Sequence, residues 1–478
     1  MASPGSSRRL ARGLRRMSSV VQLRFPLGLG HELQRAVFTR EARHETVAFC
    51  LVSHAQVGDA TVLVVRHIVG LQEADYLPDS MHGAEWSGRS MLPAIELAMR
   101  EELGIVLVHA HDFPGPARLS SDDLASARRL VPMFAARVPG RPHASIVLGR
   151  GTAAGFIALP GELPLVVGDV GVQWMGKSVV NWPRRADDVH RDMEVFDRQA
   201  LVVGDQTTLA TASIGVVGLC GGGSHVVQQL AHGGFGTIVG VDPDHSDITN
   251  LHRQVGMRPV DGRRKPPKTR IMARLVEAIG TGSQFVGVAA RVPEPEVLRA
   301  LQGVDVIVGC VDNLYAKADL QEISWRYCIP YIDVGVSIRP NKGTASEPRV
   351  TVGGNVLVLI PGGFCMWCIG YLSDEKLAAE TAGKPRSYFQ TKKGEAQVIS
   401  FNGVVASQAV SEALQLVAAY RGAGIDPASL ALNGDLQRGF FKLDGLRGTL
   451  EDWGARRRAA CPMCAWHLGA ASTLWRAA

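Results

Sequence analysis

Two histidines stand one residue apart at the end of an apolar run, with acidic residues before and after them. His109 and His111 close the segment IVLVHAH, Glu45 lies at the start of an early apolar strand, and Asp123 follows twelve residues after His111. Alternate side chains of a β-strand point to the same side, so the two imidazoles share one face. Two imidazoles and one carboxylate form a three-ligand zinc set whose fourth position is left for water, as in a catalytic site.

Zinc held in this way would lower the pKa of its bound water toward about 7 and polarise a carbonyl group. Glu45 is suited to take the proton of that water and to return it to a leaving amine. The pattern therefore predicts metal-assisted hydrolysis of an amide bond.

These residues resemble the JAB/MPN-type (JAMM) metalloprotease domain over about residues 31–175. Its pattern is a glutamate on an early strand, then H-x-H-P, a spacer and S-x-x-D, which appear here as HETVAF and HAHDFPGPARLSSDD. Asp112 replaces the usual proline and the spacer is one residue longer, so Asp122 competes with Asp123 as the ligand; the S-x-x-D spacing favours Asp123. The resemblance implies that Ser120 helps to bind the oxyanion. It also implies cleavage after the C-terminal Gly-Gly of ubiquitin-like proteins.

A glycine-rich turn lies between a strand and a helix in IGVVGLCGGGSHVVQQLAHGGFGTIVGVD. Gly218 and Gly223 match the dinucleotide pattern G-x-G-x-x-G, while Cys220 stands at its middle glycine. Gly221 still allows the backbone to approach a phosphate closely at the start of the helix. Asp242, 24 residues after Gly218, ends the next strand and is placed to bind ribose hydroxyls. This part of the chain predicts a Rossmann-like nucleotide site.

The loop VDPDHSDITNLHRQ adds acidic, amide and basic side chains, namely Asp242, Asp244, Asn250, Arg253 and Gln254. Arginine and asparagine beside a phosphate chain suit a triphosphate better than a hydride-transfer cofactor. Lys268 begins a helix after KPP. Asp312 ends the strand DVIVGCVDN at the carboxyl edge of the expected sheet, where a carboxylate could hold Mg²⁺ between phosphates.

Residues 190–478 resemble the ThiF/MoeB/HesA family, the ubiquitin-activating-type adenylyltransferases. The family's motifs appear here as GLCGGGS, DPDHSDITNLHRQ, PK at 267–268 and DN at 312–313. By this resemblance Asp242 binds the ribose of ATP and Asp312 binds Mg²⁺, while the phosphates are bound by Asn250, Arg253 and Lys268. The departures are Cys220 and a histidine at 252 in place of asparagine, and nucleotide binding is expected to survive both.

The resemblance implies in-line attack of a C-terminal glycine carboxylate on the α-phosphate of ATP, which gives an acyl-adenylate and pyrophosphate. The protein partner would be a ubiquitin-like or sulfur-carrier protein that ends in Gly-Gly. The segment VFDRQ resembles the family's R-x-x-R-Q element, whose arginine reaches the ATP of the neighbouring protomer. Arg198 therefore implies a homodimer.

Four of the eight cysteines form the pattern C-x-x-C…C-x-x-C, at Cys365, Cys368, Cys461 and Cys464. Four thiolates close a tetrahedral zinc shell, so this second zinc is expected to be structural and to tie the C-terminal segment to the core. Residues 369–460 contain no cysteine, so we expect adenylation without an internal thioester of the usual kind. Acyl transfer would then go directly to a sulfur donor, a partner cysteine of a conjugating enzyme, or a lysine.

Strands that alternate with helices of ten to fifteen residues predict an α/β fold. We expect a disordered basic tail over 1–30 and a JAB-like αβ domain over 31–175. Residues 176–478 would form a doubly wound, largely parallel sheet domain with a zinc-tied C-terminal segment. The polar stretch 371–395 is expected to be a mobile crossing loop.

The net charge of +6 comes from six arginines among the first 31 residues, and the other 447 residues hold 45 bases and 45 acids. This balance excludes a general role in binding nucleic acid or membranes, and the longest apolar runs are too short to span a bilayer. Neither a secretory signal nor a disulfide framework is expected, which favours the cytoplasm.

The favoured hypothesis is a bifunctional enzyme that trims or removes a ubiquitin-like or sulfur-carrier protein and activates its C terminus with ATP. One alternative is activation of a small-molecule, peptide or tRNA carboxylate, with an inactive or accessory JAB domain. A second alternative is a non-catalytic scaffold for a ubiquitin-like partner.

Overall fold

The structure is a computed structural model that describes residues 21–38, 45–77, 85–111, 115–161, 165–167, 169–182, 193–340, 350–382, 390–391, 394–432, 436–466 and 468–469. It is an α/β fold built on two large mixed sheets. The strands of the first sheet are β1 (Val21–Phe25), β2 (Val47–Val57), β3 (Ala60–Gly70), β4 (Gly104–Ala110), β5 (His143–Leu148), β6 (Ala153–Ala158), β7 (Leu165–Val167), β8 (Gly171–Trp174) and β9 (Val180–Trp182).

The second sheet follows in the chain, together with a short hairpin formed by β16 and β17. The strands are β10 (Ser213–Val217), β11 (Thr237–Val241), β12 (Gln284–Val288), β13 (Val306–Gly309), β14 (Tyr331–Pro340), β15 (Val350–Leu359), β16 (Gln390–Thr391), β17 (Gly394–Glu395), β18 (Phe440–Asp444) and β19 (Thr449–Asp452).

Helices flank both sheets. They are α1 (Leu29–Val37), α2 (Leu92–Glu101), α3 (Ser121–Arg137), α4 (Asp197–Val203), α5 (Thr207–Ala210), α6 (Gly221–His232), α7 (Pro259–Arg264), α8 (Lys268–Ile279), α9 (Pro295–Leu301), α10 (Leu314–Tyr327), α11 (Asp374–Thr381), α12 (Ile399–Ala418) and α13 (Pro462–Trp466). Short 3₁₀ turns add Glu73–Asp75, Gly88–Met91, Glu194–Phe196, Ile248–Asn250 and Pro427–Leu430. In the part of the chain that the structure describes, no helix combines the length and apolarity needed to cross a bilayer.

The first sheet has the order β7-β6-β5-β4-β2-β3-β1-β8-β9. Strand β2 alternates between two cores: Phe49 packs under α2 and α3, and Cys50 packs toward α1. Strands β2 and β4 are antiparallel with Val47 opposite His109. This register brings the residue two positions before Val47, Glu45, toward the level of His111.

The second sheet has the order β12-β11-β10-β13-β14-β15-β18-β19. Its first five strands are parallel, and β15, β18 and β19 extend it with antiparallel pairs. Helices α6, α8 and α12 cover one face, while α9 and α10 cover the other. The expected doubly wound parallel arrangement is therefore present in the half of this sheet that begins with the glycine turn, because apolar strands such as β10 are buried on both faces.

The expected tail over 1–30 is wrong at its C-terminal end, since Val21–Phe25 forms a fully buried strand between β3 and β8. Alternating apolar residues in VQLRF fill the core, and the buried Arg24 donates to the backbone oxygen of Tyr327 at 2.6 Å. Arg24 thus connects two units of the chain: the first unit is built on the first sheet and the second unit on the second sheet. Residues 1–20 of the expected tail lie outside the described residues.

The expected boundary at residue 175 is also too early, because β9 still belongs to the first sheet. The two units pack directly on each other. Val62 and Val64 of β3 share a core with Ile214 of β10, and the amide of Val179 donates to Leu416 at 2.8 Å. Within the polar stretch 371–395, residues Asp374–Thr381 form a helix with a Ser373 cap, so the expectation of a loop fails there.

Candidate functional site

A cavity of about 1050 Å³ opens at the carboxyl ends of the parallel strands β10, β11, β13 and β14. Ligands bind at this edge in open α/β sheets. Eight of the residues predicted for the nucleotide site line it: Gly218, Gly221, Asp242, Asp244, Asn250, Arg253, Lys268 and Asp312. The strand ends thus bring together side chains that lie up to 94 positions apart in the sequence.

The glycine turn is shaped by close backbone packing. Gly218 has a φ of +87°, and a Cβ there would lie 2.7 Å from the carbonyl oxygen of Cys310. A Cβ at Gly223 would collide with the carbonyl oxygen of Gly218. Gly223 therefore supports the turn from below and is not among the residues lining the cavity. The turn leads into the twelve-residue helix α6, whose free amides are suited to bind an anion.

Lys268 lies between two carboxylates at the mouth of the turn. Its Nζ is 2.8 Å from Asp244 Oδ2 and 3.5 Å from Asp242 Oδ1. Burial acts to lower the pKa of Lys268, but Asp242 and Asp244 outweigh it and raise the pKa, so the amine stays charged. For the carboxyl group of Asp242 burial has the opposite effect and raises the pKa. This effect outweighs the amides of Leu219 and Asp244, which donate to the carboxylate.

Gln254, which the sequence predicts to bind the nucleotide, is not among the residues lining the cavity. It is buried, its Nε2 donates to the carbonyl oxygen of Leu219 at 3.2 Å, and its Oε1 accepts from Ser246. Gln254 thus braces the glycine turn from outside the cavity. The sequence motif could not show whether the side-chain amide of Gln254 binds the nucleotide or holds the glycine turn, because a glutamine at this position of the loop could do either.

Sequence reasoning missed a buried ion pair in the cavity wall. The Nζ of Lys317 donates to both oxygens of Asp333 at 2.6 and 2.8 Å, and the hydroxyl of Tyr331 donates to the same carboxylate at 2.7 Å. Lys317 also lines the cavity. In the sequence, the only indication of a role for Lys317 was its position five residues after Asp312, in the first turns of the helix that Asn313 caps.

We predict that Lys317→Met lowers the free energy of unfolding by about 3–5 kcal/mol, because it leaves the carboxylate of Asp333 buried without its cation. Urea denaturation followed by circular dichroism measures this change. The double variant Lys317→Met with Asp333→Asn removes both charges and should recover most of the loss. A single variant as stable as the parent would contradict the prediction.

Helix α11 also reaches the cavity, which no pattern in the sequence indicated. The carboxylate of Glu380 accepts from the backbone amides of Leu314 and Tyr315, at 2.9 to 3.2 Å. A carboxylate at the N-terminus of α10 is favourable because it satisfies free amides at the positive end of the helix dipole. Glu380 thereby holds the segment after Tyr371 against the strand end that carries Asp312.

The predicted zinc site of His109, His111, Asp123 and Glu45 lies at the end of β4 in the first unit. Nε2 of His109 is 3.0 Å from Asp123 Oδ1, and Nε2 of His111 is 3.4 Å from Glu45 Oε1 and 3.7 Å from Asp123 Oδ2. Both histidines are buried, whereas Glu45 is partly exposed. The predicted set of four residues is therefore brought to one place, with Asp123 and not the exposed Asp122 facing the imidazoles.

Helix α3 fixes the position of Asp123. Ser120 caps this helix, its Oγ accepts from the amide of Asp123 at 3.1 Å, and Asp123 Oδ2 accepts from the amide of Ser120 at 2.7 Å. Burial would raise the pKa of Asp123, but His109 and the donors of Ser120 outweigh it and hold the pKa well below its usual range. In the structure the Ser120 hydroxyl is thus used as a helix cap.

The donor set fits a zinc ion. The ligand atoms of Glu45, His109 and His111 lie within 4.8 Å of one another, so a group with Glu45 in the place predicted for Asp123 has a spacing that suits a metal ion. In the described part of the chain the buried Nε2 of His109 makes no hydrogen bond of good geometry, although Asp123 Oδ1 lies 3.0 Å away. Burial and the neighbouring His109 lower the pKa of His111, which favours the neutral imidazole that binds metal. Asp112, the departure from the family pattern, lies outside the described residues.

The four cysteines of the paired motif also meet in space. Their sulfur atoms lie within 4.8 Å of one another, with Cys365–Cys368 at 3.6 Å, Cys365–Cys461 at 3.5 Å and Cys368–Cys464 at 3.6 Å. Tetrahedral zinc with bonds of about 2.3 Å separates its sulfur ligands by roughly 3.8 Å. This agreement supports a closed zinc shell that joins the segment after β15 to α13.

We predict that Cys461→Ala removes one zinc ion per chain and lowers the unfolding temperature, because a structural zinc contributes directly to folding. Zinc content by atomic emission and a thermal unfolding scan measure the two effects. Cys50→Ala, at a buried cysteine in the first sheet, is the control and should keep the zinc. An unchanged zinc content in Cys461→Ala would contradict the assignment.

Two further expectations concern Arg198 and the remaining cysteines. Arg198 lies on the exposed helix α4 and is not among the residues lining the cavity of its own chain.

Burial raises the pKa of the thiols of Cys310 and Cys328 to about 12, which disfavours the nucleophilic thiolate. Cys220 is partly buried and lines the cavity beside the glycine turn.

Comparison with known proteins identifies the family of the second unit. The model of the ThiF family matches residues 194–463. The sulfur carrier protein ThiS adenylyltransferase of Escherichia coli is 26% identical over 175 residues, which are 36% of this chain and 64% of the relative. The SAMP-activating enzyme E1 of Haloferax volcanii is 28% identical over 164 residues, which are 34% of this chain and 55% of the relative. The chain thus spans less than two thirds of the length of these relatives.

Among solved structures, E. coli MccB with succinimide is similar with a TM-score of 0.43 and 17% identity, covering 56% of this chain and 74% of that chain.

Proposed function

The chain belongs to the ThiF family, and on this premise we propose that its second unit uses ATP and Mg²⁺ to adenylate the C-terminal glycine of a ubiquitin-like or sulfur-carrier protein. The observation that carries the proposal is the cavity at the strand ends, where the glycine turn, two basic side chains and an acidic strand end meet. The names of two relatives, which act on ThiS and SAMP, support a protein substrate of this kind.

In the proposed reaction a carboxylate oxygen of the glycine attacks the α-phosphorus of ATP. The new oxygen–phosphorus bond forms as the bond to the pyrophosphate oxygen breaks, and pyrophosphate leaves. Lys268, Arg253 and Asn250 would orient the phosphates, and Asp242 would bind the ribose. Asp312 would hold Mg²⁺, which supplies neutralisation of the phosphate charge. Such a step depends on positioning and electrostatic stabilisation more than on acid–base groups.

The same premise extends to assembly and to acyl transfer. We propose a homodimer in which Arg198 reaches the ATP of the neighbouring protomer. The exposed apolar side chains Leu201 and Val202 on the same helix are consistent with an interface there. We also propose that the adenylate passes its acyl group directly to a sulfur donor or a conjugating enzyme, because residues 369–460 contain no cysteine. Burial also raises the pKa of the thiols of Cys50, Cys310 and Cys328, which disfavours a nucleophilic thiolate at these positions.

For the first unit we propose a JAB/MPN-type hydrolase that trims or removes the same carrier protein. His109, His111 and Asp123 would hold zinc, which activates a water molecule and polarises the scissile carbonyl. Glu45 would take the proton of that water and give it to the leaving amine, because it is the more exposed of the two carboxylates. Trimming exposes the glycine that the second unit adenylates, so both activities would serve one substrate.

Pyrophosphate exchange into ATP tests the adenylation proposal. The full chain is incubated with Mg²⁺, ATP, labelled pyrophosphate and a carrier protein that ends in Gly-Gly. Exchange that needs this carrier, and that is lost with a carrier lacking the terminal glycine, would support the proposal. Exchange without any protein substrate would point to a small carboxylate, and absence of exchange with every carrier would favour a scaffold.

A further inference from the structure

We propose that Asn402, in the first turn of α12, is a nucleotide-binding residue that donates a hydrogen bond to the phosphate chain of ATP. This inference deepens the proposed function and rests on its premise that the cavity holds ATP. Asn402 lies outside the motifs of the nucleotide site, 90 residues after Asp312. The argument depends on its burial, its missing partner and its contact with the glycine turn.

Asn402 is buried, with 3% of its surface exposed, yet it also lines the cavity. Among the residues that the structure describes, its Nδ2 has no hydrogen-bond partner. A buried amide donor without a partner costs free energy, so a purely structural role would be served better by an apolar side chain of similar size. The unsatisfied amide therefore indicates a partner that arrives with the ligand.

The side chain points at the glycine turn. A Cβ at Gly221 would lie only 2.6 Å from Asn402 Nδ2, so the missing side chain of Gly221 makes room for this amide. Gly221 is also the first residue of α6, a twelve-residue helix whose N-terminal amides face the cavity. Asn402 thus stands where these amides would bind a phosphate.

The two ends of an asparagine amide have nearly the same shape, so they exchange places when the amide rotates by half a turn. In the rotated position the oxygen would take the place of the amine beside Gly221, and the amine would take the place of the oxygen on a side chain that lines the cavity. A phosphate oxygen there would satisfy the donor, and a hydrogen bond to a charged group is stronger than one between neutral groups. Asn402 would also couple α12, and the crossing segment before it, to an occupied nucleotide site.

Calorimetric titration of the full chain with ATP and Mg²⁺, and separately with adenosine, tests this role without depending on adenylation. Asn402→Asp keeps the shape but removes the donor and places a negative charge beside the phosphates. Its Kd for ATP should rise at least about tenfold, whereas its Kd for adenosine should stay within twofold of the parent. Asn402→Ala, which lacks the charge, should also weaken ATP binding by about tenfold.

The matched control is Asn181→Asp in strand β9, whose side-chain oxygen accepts from Gln173 and remains an acceptor as a carboxylate. It should bind ATP as the parent does. Equal ATP affinity in the parent and both Asn402 variants would overturn the inference, and so would an equal loss for ATP and adenosine. A parent that binds no ATP would overturn this inference and the proposed function together. A parent that binds ATP but exchanges no pyrophosphate would overturn only the proposed function.

Discussion

An Asp312→Ala variant is expected to lose at least about 100-fold of the rate of pyrophosphate exchange while its fold is kept. Asp312 follows β13 at the carboxyl edge of the sheet and is exposed to the cavity, so its removal leaves no new buried void. Its carboxylate is the proposed holder of Mg²⁺. Without the metal, the negative charge of the phosphates opposes attack by a carboxylate, and the rate falls.

Exchange rates at saturating ATP and carrier, measured together with thermal unfolding, separate loss of chemistry from loss of fold. Glu277→Ala removes an exposed carboxylate from α8 and is the matched control, expected to exchange at the rate of the parent. Asp312→Ala with a rate within threefold of the parent would remove Asp312 from the proposed chemistry. A fall in the rate for Glu277→Ala as large as that for Asp312→Ala would show that the effect is not specific to the site.

A Glu45→Gln variant is expected to lose about 10²–10⁴-fold of the hydrolysis of a carrier extended after Gly-Gly, because the amide cannot take the proton of the attacking water. The change keeps the shape of the side chain, and zinc should stay on His109, His111 and Asp123. Asp123→Asn should instead lower the zinc content, since it removes a ligand charge. Mass spectrometry of the carrier and metal analysis of the enzyme measure the two outcomes.

Asp122→Asn is the matched control, because Asp122 neighbours Asp123 in the sequence but is exposed. Both its hydrolysis and its zinc content should equal those of the parent. If Asp122→Asn lost zinc while Asp123→Asn kept it, the assignment of the ligand would be reversed. If Glu45→Gln cleaved the carrier at the parental rate, the role of Glu45 as general base would be wrong.

Much of both sites could be predicted from the sequence because strand periodicity and strand ends fix where side chains go. His109 and His111 share a face through alternation in β4, and Glu45 comes to them through the antiparallel register of β2. Asp242 and Asp312 meet because parallel strands end at one edge. The cysteine pairs, 93 residues apart from Cys368 to Cys461, could be matched because zinc needs four ligands.

The remainder depends on packing that local patterns do not encode. Lys317 forms a pair with Asp333 across two elements, and Glu380 caps a helix 66 residues earlier in the chain. Both look like ordinary charged helix residues in the sequence. Asn402 likewise sits in an apolar helix. Gln254 shows the reverse case, a motif residue whose side chain supports the turn from behind. Only the tertiary contacts distinguish these roles.

The most direct test of the central claim is the intact mass of a carrier protein that ends in Gly-Gly after incubation with the full chain, ATP and Mg²⁺. The account predicts a species heavier by one adenylyl group, which hydroxylamine removes and which is absent with the Asp312→Ala variant. A carrier whose mass stays unchanged with the parent protein, under conditions where ATP is bound, would contradict adenylation of a protein C terminus by this chain.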